Sequence, residues 1–203
     1  MHPIEAESFR RLRRLVDTSH LPPRARAVAE RVIHASADTS YLDDLVLDEA
    51  ALDRGAAALR AGAPVITDVT MVAAGISAHP TMCLLNDARV PARAERDGST
   101  RTAAALRLAA SEAGPGAIYV VGCAPTALFA LCDLPAATPA LVIGLPVGFV
   151  DAVESKQALR DTGMPAVSNR GPKGGSAVAA AAFNALARSA SLPRGVVGGA
   201  ITR

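Results

Sequence analysis

His34 is the residue of this sequence best suited to transfer a proton. Pro22 and Pro23 predict the start of a helix that runs to about residue 36 and carries His34 near its C-terminal end. The last carbonyl groups of that helix, together with Asp38, would favour a protonated imidazole. Because an unperturbed histidine has a pKa of about 6.5, such a group could donate a proton near neutral pH. A histidine at a helix end is more often structural or solvated, so the residues alone leave the role of His34 open.

Apolar periodicity places His34 at the edge of the helix core. Val28, Val32 and Ala35 are predicted to form the buried stripe, and His34 belongs to a neighbouring stripe. The imidazole should therefore point sideways from the core, where a ligand could reach it.

Three glycine-rich turns, at residues 122–125, 144–148 and 171–176, are candidate sites for carboxylates. Each precedes a predicted helix, and free backbone amides at a helix start attract anions. Lys173 lies in the third turn, and Arg101 lies in the first turn of another predicted helix, where a cation opposes the dipole unless it serves an outside anion. The third turn lacks the spacing of a P-loop, and no G-x-G-x-x-G is present. An organic acid is therefore favoured over a nucleotide.

Other charged and nucleophilic groups each allow two interpretations. Four arginines between residues 10 and 14 predict either a solvated basic face or a surface that attracts an acidic molecule or subunit. Asp68, at the end of a predicted strand, could cap a helix or bind a ligand. Cys83, Cys123 and Cys132 are odd in number and lack metal-ligand spacing, so buried reduced thiols and no metal site are predicted.

The elements around these residues predict one α/β domain. Residues 117–156 form two strand-turn-helix units, each with a continuously apolar strand that is typical of a parallel sheet covered on both faces. The expected fold is a three-layer α/β/α architecture with a doubly wound, Rossmann-like, mainly parallel sheet of about five strands. Ligands of such sheets bind outside the carboxyl ends of the strands, where the glycine-rich turns lie. Residues 1–203 are expected to be a single domain, with a flexible tail over 191–203.

The remaining elements are predicted from local patterns. Residues 64–68 and 81–87 are predicted as strands, residues 164–170 as the last strand, and residues 41–47 as a loop or short extended segment. Helix caps are expected at Gly62, at Ser99 or Thr100, and at Asp151.

The composition argues against several classes of protein. A net charge of +2 and an aromatic content of 3% argue against a nucleic-acid partner, which would call for a basic surface or stacking platforms. Charged residues near the start argue against a signal peptide, and prolines that interrupt the longest uncharged runs argue against a membrane span. With reduced cysteines, these features predict a cytoplasmic protein.

Six segments, in their order and separations, resemble the signature segments of the precorrin-8X methylmutase family of cobalamin biosynthesis: RVIHASAD, DVTMVAAGI, STRTAAAL, GCAPTALFAL, IGLPVGFVDAVESK and GPKGGSAVAAAAFNALA. The resemblance spans about residues 4–187. It implies a homodimeric isomerase that moves a methyl group between adjacent ring carbons of a corrinoid precursor, from precorrin-8X to hydrogenobyrinate or in the cobalt-containing equivalent. It implies no metal or redox cofactor of the enzyme's own for this sigmatropic shift.

The resemblance also implies roles for individual residues. It assigns proton handling to His34 and a substrate contact to Ser8. The substrate is a tetrapyrrole with many carboxylates, and the residues predicted to bind it are Ser8, Arg101, Thr102, Cys123, Thr126, Gly148, Lys173, Gly174 and Ser176.

The chain departs from the pattern of this family at four positions. Ser99 and Cys123 stand where asparagine is common, Ala37 where glycine is common, and Asp151 where a small residue is usual. Because a thiol cannot replace the hydrogen bonds of an amide, Cys123 supports a second hypothesis, a corrinoid carrier that binds the product without turnover.

Overall fold

The computed structural model describes residues 2–77, 79–134 and 137–190. The predicted tail over residues 191–203 lies outside the described residues. The described part contains a five-stranded sheet flanked by helices on both faces, as the sequence predicted.

The strands of the sheet are β1 (Leu45–Leu47), β2 (Val65–Thr67), β3 (Ile118–Val121), β4 (Leu141–Gly144) and β5 (Ala166–Asn169). They are arranged in the order β1-β5-β4-β3-β2. Strands β2 to β5 are parallel, and β1 pairs antiparallel with β5 at one edge. Because β3 and β4 are parallel neighbours, the turns that follow them lie at the same edge of the sheet, as predicted.

Alternate residues of each central strand face opposite layers. Ile118 and Val120 pack with one helical layer, whereas Tyr119 and Val121 pack with the other. The first layer contains the helices over residues 23–36, 49–60, 70–75 and 176–190, and the second contains those over residues 101–113, 125–132 and 152–161. The α-helices of the described residues are α1 (Pro3–Leu15), α2 (Pro23–Ser36), α3 (Tyr41–Asp44), α4 (Glu49–Arg60), α5 (Thr70–Gly75), α6 (Val90–Arg96), α7 (Arg101–Ala113), α8 (Pro125–Cys132), α9 (Ala152–Asp161) and α10 (Ser176–Ala190).

Two predicted elements differ in the structure. Residues 41–47 begin with the short helix α3, which was not predicted, and are extended as predicted only over β1, which pairs with β5. The prediction of a strand over residues 81–87 was wrong. Only Met82 pairs, through a bridge to Ile66, and a turn from Leu84 to Asp87 then ends the extended chain.

Capping agrees with the sequence at two positions and differs at a third. The Thr100 hydroxyl accepts a hydrogen bond from the Ala103 amide, and Gly62 follows α4 with a φ of +80°. Asp151 precedes α9, but it has a left-handed backbone and its side chain caps no amide. The buried stripe of α2 also departs from expectation, since Ala35 is exposed.

Candidate functional site

His34 is held between two residues of α1. Its Nδ1 lies 2.9 Å from the Ser8 hydroxyl, and its ring stacks on Phe9 with centroids 4.8 Å apart and an angle of 15°. The helix α2 places His34 near its C-terminal end, as predicted, and α1 crosses close enough to supply both partners. The two residues that family resemblance assigned to proton handling and substrate contact are therefore in direct contact.

The pair of Ser8 and His34 lines a cavity of about 200 Å³. Its walls are formed by Ser8, Arg11, Leu12, Leu15, Ile33, His34, Ala37 and Thr39. Ser8 and Arg11 also line a more open depression of about 540 Å³, together with Pro3, Ile4 and Glu7. The His34 ring, half-buried, thus borders space that a ligand can enter, as the sideways orientation predicted.

No hydrogen bond or ion pair joins Asp38 to His34. Its carboxylate instead accepts a hydrogen bond from Lys173 Nζ at 2.8 Å and from the Ser40 hydroxyl at 2.6 Å. Hydrogen bonds from Lys173 and Ser40 lower the pKa of Asp38 to about 2. The ammonium of Lys173 also lies 4.4 Å from the centre of the Tyr41 ring. The segment after His34 is therefore joined to the glycine-rich turn at residues 171–176.

The turns at residues 144–148 and 171–176 are hydrogen-bonded to each other. The Gly175 amide donates to the carbonyl of Leu145 at 2.9 Å, and the Gly148 amide donates to the carbonyl of Pro172 at 3.2 Å. A Cβ at Gly174 would collide with the carbonyl oxygen of Leu145, so only glycine allows this approach. Gly148 and Gly174, both predicted to bind substrate, thus first serve to join the two turns.

Lys156 organises the same region and was missed as a site residue. Its buried ammonium donates to Asn169 Oδ1 at 2.8 Å and to the carbonyls of Gly171 and Lys173 at 2.5 and 2.8 Å. Burial lowers the pKa of Lys156 to about 8. Asn169 in turn donates to Asp44, which also accepts from the Gly171 amide. The only sequence signal for this role was the ESK triplet, since the contacts come from residues distant in the chain.

Asp68 occupies the amides that were predicted to bind substrate carboxylates at residues 122–125. Its carboxylate accepts hydrogen bonds from Gly122, Cys123 and Ala124 at 3.1, 2.8 and 2.9 Å. Burial raises the pKa of Asp68, against the opposing effect of these three amides. Pro125 has no amide hydrogen, so this turn offers a ligand no free backbone donor. Of the two roles that the sequence allowed, Asp68 is therefore a cap, and it caps the turn that leads into α8.

A third group of predicted residues gathers at the starts of α7 and α8. The Thr126 hydroxyl lies 2.8 Å from that of Thr100 and 3.4 Å from that of Thr102. Arg101 is exposed and makes one long hydrogen bond of 3.3 Å to the carbonyl of Leu85. Cys123 is exposed rather than buried as predicted. Within the described residues, no hydrogen bond joins this group to His34 or Ser8.

The amides of the third turn are only partly occupied. Gly171 donates to Asp44, and Gly175 donates to Leu145. Among the residues that the structure describes, the amides of Lys173, Gly174 and Ser176 have no hydrogen-bond partner. The start of α10 therefore keeps the free donors that the sequence suggested.

Metal-ligand clusters and membrane-spanning helices are both absent from residues 2–77, 79–134 and 137–190. No three histidine, cysteine, aspartate or glutamate side chains in those ranges come together as metal ligands would. Within the same ranges, no helix has the length and apolar character needed to cross a membrane.

Comparison with known proteins gives consistent results. A family model for precorrin-8X methylmutase matches residues 3–189. The precorrin-8X methylmutase of Pseudomonas aeruginosa is 44% identical over 195 residues, which cover 91% of this chain and 93% of that protein. The cobalt-precorrin-8 methylmutase of Methanothermobacter thermautotrophicus is 43% identical over 173 residues, which cover 84% of this chain and 83% of that protein. The crystal structure of a precorrin-8X methylmutase from Thermus thermophilus has a TM-score of 0.84 and 37% identity, covering 93% of this chain and 98% of that one. The chain therefore belongs to the precorrin-8X methylmutase family, isomerases of cobalamin biosynthesis.

Proposed function

We propose that this chain catalyses the methyl shift from precorrin-8X to hydrogenobyrinate, or its cobalt-containing equivalent, with His34 as the acid/base group. The observation that carries the proposal is the 2.9 Å contact between Ser8 Oγ and His34 Nδ1 at the wall of a cavity. Because Ser8 occupies Nδ1, Nε2 is the ring nitrogen left for the substrate. Ser8 thus orients the imidazole in addition to any substrate contact of its own.

The shift transfers a methyl group, with its bonding electron pair, from one ring carbon to its neighbour. A proton delivered to a ring nitrogen beside the migrating centre withdraws electron density and lowers the barrier. His34 donates that proton and recovers one when the product forms, so that the isomerisation needs no net proton. General acid catalysis of this kind typically contributes about 10²–10⁴-fold.

The carboxylates of the substrate need several donors. The free amides of Lys173, Gly174 and Ser176, with the Lys173 ammonium, form one set that suits a carboxylate. The side chains of Arg101, Thr102 and Thr126 form a second set at the starts of α7 and α8. The amides of Cys123 and Gly148 are already hydrogen-bonded within the protein. Cys123 would therefore contact the substrate through its thiol, and Gly148 would contribute through the shape of its turn.

The apolar macrocycle also needs an apolar surface. Val147, Phe149 and Val150 project from the segment that follows β4, and the Phe149 side chain is fully exposed. The Gly148 amide between them is bonded to the turn at residues 171–176. We infer that this apolar group packs against the ring while the neighbouring amides hold its carboxylates.

The competing hypothesis is a corrinoid carrier that binds the product but does not convert the substrate. The exposed Cys123, in place of the usual asparagine, is the feature that favours it. Incubation with precorrin-8X, and separately with cobalt-precorrin-8, while following the absorbance change on isomerisation, distinguishes the two. Spectral conversion of either compound supports the enzyme, whereas tight binding of both without conversion supports the carrier. One relative is named a precorrin-8X methylmutase and the other a cobalt-precorrin-8 methylmutase, and this chain is nearly equally identical to both. Both compounds therefore belong in the assay.

We further expect a cytoplasmic homodimer from the family resemblance and the reduced cysteines. Sedimentation equilibrium of the purified protein tests the dimer, for which a mass near twice the 20.7 kDa of the chain is expected.

A further inference from the structure

Ser8 can meet His34 only while α1 is docked on α2. Of the 13 residues of α1, only Phe9 and Leu12 are buried, so apolar packing alone gives the helix a small anchor. Polar contacts must therefore fix how α1 lies on α2. Two such contacts exist beside the Ser8 pair, and both involve residues of α2 that precede His34 by one turn or less.

The stronger of these contacts is centred on Glu30. Glu30 is 3% exposed, and its carboxylate accepts hydrogen bonds from Arg13 Nε at 3.0 Å, Arg13 Nη2 at 2.7 Å and the Thr18 hydroxyl at 2.7 Å. Arg26 Nε, from the same helix, completes the set at 2.9 Å. A buried carboxylate with this many charge-assisted donors is a strong and directional anchor.

The pKa of Glu30 reflects the same arrangement. Burial alone would raise it, but hydrogen bonds from Arg13, Thr18 and Arg26 lower it below its ordinary value. Glu30 is therefore ionised throughout the neutral range, and the paired state persists under working conditions.

The position of Glu30 connects it to the candidate site. It lies four residues before His34 on α2, so the two side chains share one side of that helix. Its partners belong to the end of α1 and to the segment that links α1 to α2. Glu30 therefore fixes the helix that carries Ser8 relative to the helix that carries His34.

The second contact supports the same geometry. Arg31 donates to Glu5 at 2.6 Å and lies 4.6 Å from the centre of the Phe9 ring, which also stacks on the His34 ring. The basic cluster singled out in the sequence is thus divided. Arg13 bonds Glu30, whereas Arg10 and Arg11 pair with Glu7 on the surface of α1.

We propose that Glu30 is a positioning residue that holds Ser8 within hydrogen-bond distance of His34 and thereby fixes the orientation of the imidazole. The proposal rests on the proposed function only for its effect on turnover, since its effect on the imidazole can be measured without substrate.

The test compares Glu30→Gln with Asp53→Asn. Asp53 on α4 forms an ion pair with Arg24 on α2. Asp53→Asn therefore also removes one ion pair from α2, but one that faces α4 rather than α1. In protein labelled with ¹⁵N-histidine, the His34 ring signals are assigned by their loss in His34→Ala. We expect Glu30→Gln to shift the His34 Nδ1 signal, because the hydrogen bond with Ser8 is weakened, and Asp53→Asn to leave it in place. Unchanged His34 signals in Glu30→Gln would overturn the proposal.

Turnover provides the second measurement. Glu30→Gln should lower it roughly 10-fold, because small displacements of a catalytic group cost about one to two orders of magnitude. In a His34→Ala background the same change should have no further effect, since the residues act as one unit. An equal further loss in that background would show that Glu30 acts on the fold generally, and would also overturn the proposal. If His34→Ala itself keeps full turnover, the proposed function fails, while the ring signals still decide the role of Glu30.

A second variant covers the case in which Glu30→Gln does not fold. Thr18→Val keeps the shape of the side chain and removes one of the donors to Glu30. It should shift the His34 signals in the same direction by a smaller amount. Signals identical to those of the wild type would count against the proposal in the same way.

Discussion

Ser8 Oγ and His34 Nδ1 lie 2.9 Å apart, although the two residues are 26 positions apart in the sequence and belong to different helices. The contact commits one ring nitrogen of His34 and leaves the other for chemistry. It also means that a change at Ser8 acts on the imidazole as well as on the ligand.

His34→Ala should lower turnover by roughly 10²-fold or more, because it removes the general acid. The fold and most of the product affinity should persist, since the ring is half-buried and lines an open cavity. Stopped-flow or steady-state absorbance measures the turnover, and a product titration measures the affinity. His20→Ala, at an exposed histidine, is the matched control. Full turnover in His34→Ala would remove the mechanism proposed above.

Ser8→Ala should reduce both turnover and product affinity. The loss in affinity should be about 1 kcal/mol, the usual size of one hydrogen bond. Because Ser8 also holds the His34 ring, turnover should fall by more than affinity does. A variant that binds and converts as the wild type does would return Ser8 to a structural role. In His34→Ala, the further loss of turnover on changing Ser8 should disappear.

Asp68 and the turn that it caps show which features could be predicted from the sequence and which could not. Continuous apolar runs predicted β3 and β4, and parallel pairing then placed their following turns at one edge, because those properties are local or follow from strand order. The hydrogen-bond partners of the amides in those turns could not be predicted in this way. Asp68 reaches the Gly122 amide across 54 positions of sequence, and no local pattern encodes that contact.

The same distinction applies to His34 and Lys156. Helical spacing correctly placed His34 at the edge of the core of α2, but the nearest carboxylate in sequence, Asp38, bonds Lys173 instead. Lys156 is buried because three acceptors surround it, and those acceptors come from the segment around Asn169 to Lys173. Charge in a helix pattern predicts exposure, so a buried lysine is found only once tertiary contacts are known.

Ala37→Gly should stabilise the protein. Ala37 ends α2 with a φ of +54°, a left-handed conformation that costs a residue with a Cβ about 1 kcal/mol or more and that glycine adopts freely. A gain of about 1 kcal/mol corresponds to roughly 2–4 °C in Tm for a chain of this size. Gly62→Ala is the reverse control, because Gly62 has a φ of +80° and open space around its Cα. Thermal unfolding should move in opposite directions for the two variants, and a shift of both in one direction would contradict the explanation.

Lys156 should titrate near pH 8, in contrast to its ordinary value of 10.5, because burial disfavours its charge. The sequence has two lysines, so ¹³C-labelled lysine gives two ammonium titrations, and Lys156→Met assigns them. Between pH 8 and about 10.5 the unfolded chain holds a proton that the folded chain has lost at Lys156, so the contribution of this group to stability rises with pH in that window. The free energy of unfolding of the wild type, relative to Lys156→Met, should therefore increase from pH 8 to 10. Titration of Lys156 near 10.5 would contradict the expected burial effect.

Asp38→Asn should strengthen binding of the carboxylate-rich product. Lys173 is paired with Asp38 at 2.8 Å, and about a third of each side chain is exposed. A pair of this kind is worth about 0.2–1 kcal/mol, which is the cost of drawing Lys173 away to a substrate carboxylate. Removing the charge of Asp38 eliminates that cost, so affinity should rise by roughly 1.4–5-fold. Lys173→Met should weaken binding, and in that background Asp38→Asn should lose most of its benefit, because the benefit depends on the released ammonium. Asp53→Asn, which breaks the pair with Arg24, is the control and should leave the affinity unchanged. If Asp38→Asn weakens binding, Asp38 and Lys173 act as one rigid support for the turn at residues 171–176, and the free amides of that turn, rather than the ammonium, bind the carboxylates.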